Sequence, residues 1–139
     1  MLSSPGVPMA NELILIVEDD NNSRKLVRDL LDFHGYQTLE AGTGEEGVRL
    51  TLQFQPALVL MDIELPGING IEALERLRQN PATRAIPIIA VTASVMPHDR
   101  QKVVNAGFDG YHRKPIAMKD FLKDVRRVLD RRLEAGPAT

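Results

Sequence analysis

The feature that most constrains the fold is an unbroken apolar run at residues 58–61, Leu-Val-Leu-Met, which leads directly to the carboxylate of Asp62. Pro66 and Gly67 follow within a few residues and indicate a turn. A short apolar run between turn signals is typical of a strand that is buried on both faces. Such strands occur in parallel sheets covered by helices, where ligands bind beyond the carboxyl ends of the strands. Asp62 is therefore expected at the mouth of a binding site.

Strand and helix patterns alternate five times along the chain. Strands are predicted at residues 13–17, 36–40, 57–62, 87–92 and 110–114, and helices at about 22–34, 44–54, 69–79, 97–106 and 117–133. The second strand is shorter and more polar than the others, so we expect it at a sheet edge. The alternation predicts an α/β domain in which helices cover both faces of a parallel sheet.

Local signals predict where the helices begin and end. Asn21 or Asn22 can cap the first helix, and Gly35 is expected to end it in a left-handed conformation. Thr43 and Glu46 form the Thr-x-x-Glu pattern of a capping box at the second helix. The apolar face of the first helix is predicted to consist of four residues, Leu26, Val27, Leu30 and Leu31.

Size and charge narrow the class of protein. The 139 residues fit one domain. The formal net charge of -2 does not indicate the basic surface that nucleic-acid binding requires. Because the chain has no cysteine, disulfides and thiolate metal sites are excluded. No apolar run is long enough to span a bilayer and no secretory signal is evident, so we predict a cytoplasmic protein. We expect a disordered leader at residues 1–11, a folded domain at 12–133 and a flexible tail at 134–139.

Polar side chains stand at the carboxyl ends of four predicted strands. Glu18 and Asp19 follow the first strand, and Asp62 ends the third. Thr92 ends the fourth strand and Lys114 the fifth, so all five side chains are expected in one crevice at the sheet edge. Three neighbouring carboxylates repel one another unless a cation joins them, and oxygen donors favour Mg²⁺. A carboxylate beside Mg²⁺, a hydroxyl and an ammonium group is suited to phosphoryl transfer through an aspartyl phosphate.

Motifs on these elements resemble the response-regulator receiver domain of two-component and phosphorelay signalling, across about residues 12–133. They are Ile-Val-Glu-Asp-Asp at 16–20, Leu-Met-Asp at 60–62 with Leu-Pro-Gly at 65–67 and Asn-Gly at 69–70, Val-Thr-Ala at 91–93, and Tyr111 with Lys114-Pro115. Each motif is weak alone, but their order on the predicted elements makes a specific match. The resemblance implies a flavodoxin-like (βα)5 fold with a five-stranded parallel sheet in the order 2-1-3-4-5.

The resemblance also implies roles for the acidic residues. Asp62 is expected to accept a phosphoryl group from a phosphohistidine. Glu18 and Asp19 are expected to hold Mg²⁺, with Mn²⁺ able to substitute, Asp19 directly and Glu18 through water. The backbone carbonyl of Glu64 is expected to be the third protein ligand. The side chains of Glu64 and Ser94 occupy the two positions that tune the lifetime of the phosphoryl group in this family, and Glu18 stands where an aspartate is more common.

A second group of residues is expected to respond to the phosphoryl group. Thr92 would donate its hydroxyl to one phosphoryl oxygen, and Lys114 would pair with another. The bond between Lys114 and Pro115 is expected to be cis. Movement of Thr92 would let Tyr111 turn inward and repack the face formed by the fourth helix, the fifth strand and the fifth helix.

The remaining polar residues are predicted to have ordinary roles. Asp20 is expected mainly to help cap the first helix. The three histidines, His34, His98 and His112, are predicted to lie at the surface or rim rather than to bind metal or phosphate. His112 and Arg113 are expected to give the last strand a polar outer row. The arginines of the last helix, Arg126, Arg127, Arg131 and Arg132, are predicted to form a solvated face.

The leading hypothesis is a stand-alone receiver that takes its phosphoryl group from a sensor histidine kinase or a histidine phosphotransfer protein and signals by contact with a downstream protein. We expect no direct DNA binding, no membrane association, and no catalysis beyond its own phosphoryl transfer and dephosphorylation. The resemblance also implies that the chain can form a homodimer through the face of the fourth helix, fifth strand and fifth helix. The alternatives are a receiver excised from a hybrid kinase or longer regulator, and a phosphorylation-independent interaction module.

Two other classes of protein fit less well. A haloacid-dehalogenase phosphatase needs a second aspartate two residues after its nucleophile, where this chain has Glu64, and its acidic metal ligands come late in the chain. A flavodoxin-like cofactor binder cradles phosphate in the loop after the first strand. Residues 18–20 of that loop are acidic in this chain and would repel phosphate in the absence of a metal.

Overall fold

The computed structural model describes residues 11–93 and 97–135, in which five strands alternate with five helices. The strands are β1 (Leu13–Val17), β2 (Gln37–Ala41), β3 (Leu58–Met61), β4 (Ile88–Thr92) and β5 (Gly110–Arg113), and the helices are α1 (Asn21–Phe33), α2 (Gly44–Phe54), α3 (Gly70–Gln79), α4 (Pro97–Ala106) and α5 (Met118–Ala135). All ten predicted elements are confirmed. Residues 1–10 of the predicted leader and 136–139 of the predicted tail lie outside the described residues. No helix within the described ranges has both the length and the apolar character that a membrane crossing requires.

The strands form one parallel sheet in the order β2-β1-β3-β4-β5, as the resemblance implies. β2 is an edge strand, which confirms the prediction made from its polar sequence. The adjacent strands β1, β3 and β4 are almost wholly buried, because helices cover both faces of the sheet.

Alternate residues of the central strands pack into two cores, one on each face of the sheet. In β1, Ile14 and Ile16 contribute to the core that also contains residues of α1 and α5. Leu15 and Val17 contribute to the second core, together with residues of α3. Because both faces are covered, a ligand can approach the central strands only at their ends.

The outer side of α1 departs from the prediction. Val27 and Leu31 are buried one turn apart and Leu30 is partly buried, but Leu26 is 58% exposed. Successive helical residues are rotated by roughly 100° about the helix axis, which puts Leu26 at the edge of the four-residue apolar face, and the packing of α1 leaves that edge uncovered. The prediction that Leu26 belongs to the apolar face is therefore wrong.

The helix ends confirm some local signals and correct others. Asp20 caps α1 by accepting a hydrogen bond from the backbone N–H of Ser23 at 2.8 Å, so the cap is not either of the asparagines that follow. The hydrogen bonds from Ser23 hold the pKa of Asp20 below its ordinary value. Gly35 has a φ of 90° and confirms the left-handed end of α1. Helix α5 extends to Ala135, two residues beyond the predicted end of the domain.

One arginine of the last helix, Arg126, forms hydrogen bonds and ion pairs that connect α5 to other parts of the structure. Arg126 donates to Glu12 at 2.6 Å and to the hydroxyl of Tyr36 at 3.3 Å, and it pairs with Asp130 at 3.0 Å. Partial burial acts to raise the pKa of Glu12, but the hydrogen bond and the charge of Arg126 outweigh burial and lower this pKa below its ordinary value. Arg126 is thus partly buried and structural, whereas the other three arginines are exposed as predicted.

Candidate functional site

Backbone hydrogen bonds bring the carboxyl ends of the strands together. The N–H of Asp62 donates to the carbonyl of Val17 at 3.0 Å, which joins the end of β3 to the end of β1. The N–H of Lys114 donates to the carbonyl of Thr92 at 2.9 Å, which joins β5 to β4. Glu18 follows β1 directly. The predicted site residues therefore share one edge of the sheet.

Three carboxylates form a cluster at this edge. Glu18, Asp19 and Asp62 each offer an oxygen atom, and these atoms lie within 4.8 Å of one another. Glu18 and Asp62 are buried and Asp19 is exposed, so the cluster opens toward solvent at Asp19. Carboxylates at this spacing repel one another, and oxygen donors of this kind fit a hard divalent cation such as Mg²⁺. The fold brings together the three acidic side chains that were predicted to hold a metal.

Lys114 provides a positive charge inside the cluster. Its Nζ atom contacts Oε1 of Glu18 and lies 3.3 Å from Oδ2 of Asp62. Burial raises the pKa of Glu18 against the opposing effects of Lys114 and of the Asp20 N–H. Burial favours the neutral amine of Lys114, but the hydrogen bond to Glu18 and the charge of Asp62 raise its pKa above the ordinary value. Lys114 is therefore charged at neutral pH and partly compensates the acidic cluster.

The loop after β3 fixes the other oxygen of the Asp62 carboxylate. Oδ1 of Asp62 accepts a hydrogen bond from the N–H of Glu64 at 3.0 Å, while the side chain of Glu64 is exposed. The loop ends at α3, where Asn69 and Glu72 form a capping box, and the N–H of Gly70 donates to Ile63 O at 2.9 Å. Both ends of the loop are thus held by hydrogen bonds, which gives the carboxylate a defined orientation.

Thr92 carries a buried hydroxyl that has no hydrogen-bond partner among the described residues. The residue is 0% exposed, and its Oγ1 atom is the one buried side-chain oxygen or nitrogen in that part of the chain without a partner. A buried polar group without a partner is unfavourable unless a ligand satisfies it. The hydroxyl therefore retains hydrogen-bonding capacity that nothing in the described residues uses, in the residue that ends β4 at the carboxyl edge.

Replacing Thr92 with valine is expected to raise the free energy of unfolding by about 1 kcal/mol, because the variant removes an unsatisfied buried hydroxyl and keeps the branched shape. Urea denaturation in the absence of phosphodonor measures this effect. Thr83→Val is a matched control that is expected to lower the free energy of unfolding, because the buried Thr83 hydroxyl donates to the carbonyl of Leu77 at 2.7 Å. A loss of stability in Thr92→Val equal to that in Thr83→Val would show that the Thr92 hydroxyl is already satisfied.

Comparison with known proteins identifies the family. The family model for the response regulator receiver domain matches residues 14–126. The protein belongs to the response-regulator receiver family. The chain is 37% identical over 116 residues to the polar-differentiation response regulator DivK of Brucella ovis, a match that covers 84% of this chain and 94% of DivK. As a receiver domain, the protein is a signalling module rather than a conventional enzyme.

Solved structures of receivers have the same fold. A CheY-like receiver domain protein from Methanospirillum hungatei JF-1 superposes with a TM-score of 0.84 and 31% identity, covering 91% of this chain and all of that chain. The receiver domain of the sensor histidine kinase PA1611 from Pseudomonas aeruginosa PAO1 gives a TM-score of 0.81 and 29% identity, covering 87% of this chain and 99% of that chain. The PA1611 receiver has a magnesium ion in its active-site cleft.

Strand β5 of this receiver differs from the prediction in one respect. Tyr111 is 36% exposed, and Arg113 is also exposed, so these two residues form the outer row. His112 faces α5, where its Nε2 atom lies 2.8 Å from Oδ2 of Asp124 and its ring packs edge-on against Phe121. The prediction that His112 belongs to the outer row with Arg113 is therefore wrong, whereas its partly exposed position agrees with the rim placement that was also predicted for it.

The other predictions near the receiver site have different outcomes. The Lys114-Pro115 bond is cis, as expected from the resemblance. His34 is exposed as predicted, whereas the side chain of His98 and the whole of Ser94 lie outside the described part of the chain.

Two charged residues next to the receiver site were not singled out from the sequence. Arg24 of α1 donates to the backbone carbonyl of Glu18 at 2.8 Å and to Glu40 of β2 at 3.1 Å. No short motif contains these three residues, because Glu40 is 16 positions from Arg24 along the chain. The sequence shows only that Arg24 and Glu40 carry opposite charges. Their contact follows from the fold, which places α1 beside β2.

Proposed function

We propose that this receiver accepts one phosphoryl group on Asp62 from the phosphohistidine of a sensor histidine kinase or a histidine phosphotransfer protein. The observation that carries the proposal is the environment of the Asp62 carboxylate. It is buried at the carboxyl edge, 3.3 Å from Nζ of Lys114 and next to the carboxylates of Glu18 and Asp19. A nucleophilic carboxylate, a fixed cation and a group of oxygen donors for a second cation are what phosphoryl transfer requires.

Glu18, Asp19, Asp62 and the backbone carbonyl of Glu64 would hold Mg²⁺, with Mn²⁺ able to substitute. When bound, the ion supplies positive charge that neutralises the phosphoryl oxygens. Two features support this assignment. The cluster offers only oxygen donors, and Asp19 is exposed, which suits an ion that retains several waters.

The residues of the chain have separate parts in the transfer. A carboxylate oxygen of Asp62 attacks phosphorus in line with the donor nitrogen. The new O–P bond forms as the N–P bond breaks, and the electron pair of the broken bond stays with the imidazole nitrogen of the donor. Lys114 pairs with one phosphoryl oxygen, and the buried Thr92 hydroxyl donates to another. Attack of water on phosphorus later breaks the O–P bond to Asp62, releases inorganic phosphate and restores the carboxylate, which is the protein's own dephosphorylation.

Thr92 and Tyr111 form the switch in this proposal. Thr92 moves toward the phosphoryl group, and Tyr111, which is partly exposed in this structure, turns inward. The surface of α4, β5 and α5 then changes shape and binds a downstream protein target or a second copy of the chain, without direct DNA contact. We place this relay in the cytoplasm.

A small phosphodonor tests the proposal without the cognate kinase. The protein is incubated with acetyl phosphate and Mg²⁺, and its intact mass is followed over time. We expect one phosphoryl adduct per chain, no adduct in the presence of EDTA, and recovery of the adduct when Mn²⁺ replaces Mg²⁺. Peptide mapping after borohydride reduction is expected to locate the adduct at Asp62.

Lack of an adduct with acetyl phosphate and with phosphoramidate, in a folded sample, would contradict the proposal. The phosphorylation-independent interaction module would then be the better interpretation of the same fold. An adduct that forms equally well in EDTA would contradict the metal assignment alone.

A further inference from the structure

The side chain of Arg24 bridges three parts of the structure beside the acidic cluster. Its Nη1 donates to the backbone carbonyl of Glu18 at 2.8 Å, its Nε donates to Oε1 of Glu40 at 3.1 Å, and its Nη2 donates to Asn21 at 2.7 Å. The Arg24 side chain is only 21% exposed, so these contacts are partly shielded from solvent. One side chain thus joins the first turn of α1, the end of β2 and the loop after β1.

That loop carries the predicted metal ligands Glu18 and Asp19. It is also held by the N–H of Glu18, which donates to the carbonyl of Ala41 at 2.9 Å, and by the N–H of Asp20, which donates to the Glu18 carboxylate at 3.0 Å. Arg24 makes the contact to the Glu18 carbonyl, and Glu40 anchors the guanidinium from β2. The backbone of Glu18 is therefore fixed from both sides.

We propose that Arg24 is a positioning residue of the metal site, which fixes the backbone at Glu18 so that the carboxylates of Glu18 and Asp19 are in place before the metal binds. The inference rests on the proposed function, because it assumes that these carboxylates hold Mg²⁺. Arg24 does not coordinate the metal or touch the phosphoryl group. Hydrogen bonds that orient ligands from outside the coordination sphere commonly affect metal affinity by roughly 10–100-fold.

Positioning and charge predict opposite results when Arg24 is replaced. A positive charge beside the cluster repels Mg²⁺, so a charge effect alone would make Mg²⁺ bind more tightly once Arg24 is neutral. Loss of positioning makes Mg²⁺ bind more weakly. The direction of the change in Kd therefore distinguishes the two roles.

Arg28 offers a matched control on the same helix. It lies one turn after Arg24 and pairs with the other oxygen of Glu40 at 3.3 Å. Arg24→Gln and Arg28→Gln each remove one positive charge and one ion pair with Glu40. Only Arg24→Gln also removes the contact to the carbonyl of Glu18.

The test is isothermal titration of the full chain with MgCl2, with amide hydrogen exchange of residues 18–20 measured in metal-free buffer and thermal unfolding as a check of the fold. We expect Arg24→Gln to raise the Kd for Mg²⁺ by about tenfold and to speed exchange of these amides. Arg28→Gln is expected to leave the Kd within about twofold of the wild type, because its charge is farther from the cluster.

Arg24→Lys is a second variant for the case in which Arg24→Gln does not fold. Lysine keeps the charge but lacks the planar fork that reaches three acceptors at once, so we expect weaker Mg²⁺ binding in this variant also. An unchanged or lower Kd in a folded Arg24 variant, or an equal rise in Arg28→Gln, would overturn the inference. If the wild-type chain itself binds no Mg²⁺, the proposed function fails instead.

Discussion

Replacing Asp62 with asparagine is expected to reduce phosphoryl incorporation from acetyl phosphate to background, by roughly a thousandfold or more, which is the size of effect that loss of a nucleophile produces in enzymes. The amide oxygen of asparagine is a poor nucleophile, and the variant also removes one carboxylate from the cluster with Glu18 and Asp19. Intact mass over time measures the effect. Circular dichroism is expected to show an unchanged fold, since asparagine has nearly the same shape as aspartate.

Asp20→Asn is the matched control for this prediction. Asp20 is adjacent to the cluster in sequence, but it is exposed and caps α1, a position that asparagine fills equally well. We expect this variant to retain incorporation close to that of the wild type. Equal labelling of Asp62→Asn and the wild type would mean that the acceptor is another residue.

Replacing Gly70 with alanine is expected to lower the free energy of unfolding by about 3 kcal/mol, at the upper end of the usual cost of inserting a buried methyl group. A Cβ atom at this position would lie 2.4 Å from the backbone carbonyl oxygen of Asp62 and 2.8 Å from the Cα of Ile63. Both neighbours are backbone atoms, so no side chain can rotate away. Either α3 or the segment that carries Asp62 must move, and incorporation of phosphate is expected to fall together with stability.

Gly42→Ala is the control for the effect of adding a methyl group. Gly42 lies beyond β2 on the same edge of the sheet, and a Cβ atom added there would have Nη1 of Arg24 as its nearest neighbour, at 3.9 Å, which is an ordinary contact. Urea denaturation of both variants is expected to show a large loss of stability for Gly70→Ala and a change within about 0.5 kcal/mol for Gly42→Ala. Similar stability of the two variants would mean that the start of α3 can shift without cost.

The two cations near Glu18 have different tasks. Lys114 contacts the carboxylate of Glu18 from inside the site, and Arg24 contacts its backbone carbonyl from outside. In the proposed function the inner cation pairs with a phosphoryl oxygen, because it also lies near Asp62. The outer cation donates to Glu40 and, in our inference, positions the loop after β1. The same acidic residue is therefore held at two points by groups from distant parts of the chain.

Much of the fold was predictable because its signals are local. The apolar run at residues 58–61 requires a strand buried on both faces, and the alternation of five strands with five helices requires a parallel sheet. The left-handed Gly35 follows from residues within one helical turn, and so does half of the capping box predicted at α2. Thr43 accepts from the N–H of Glu46 as predicted, but the Glu46 carboxylate accepts from the N–H of Gly42 rather than from that of Thr43. The strand order came from the family resemblance, since periodicity fixes no order.

The sequence by itself determined which residues stand at the carboxyl ends of the strands, because a strand end and its following turn are encoded in neighbouring residues. Tertiary structure alone decided which side chains meet there. Lys114 reaches Glu18 across 96 positions, and His112 turns from solvent to Asp124 because α5 packs over β5. Leu26 is exposed for a similar reason, since packing selects which part of an apolar helix face is covered. Contacts between distant elements depend on three-dimensional packing, which cannot be predicted from the spacing of residues along one sequence.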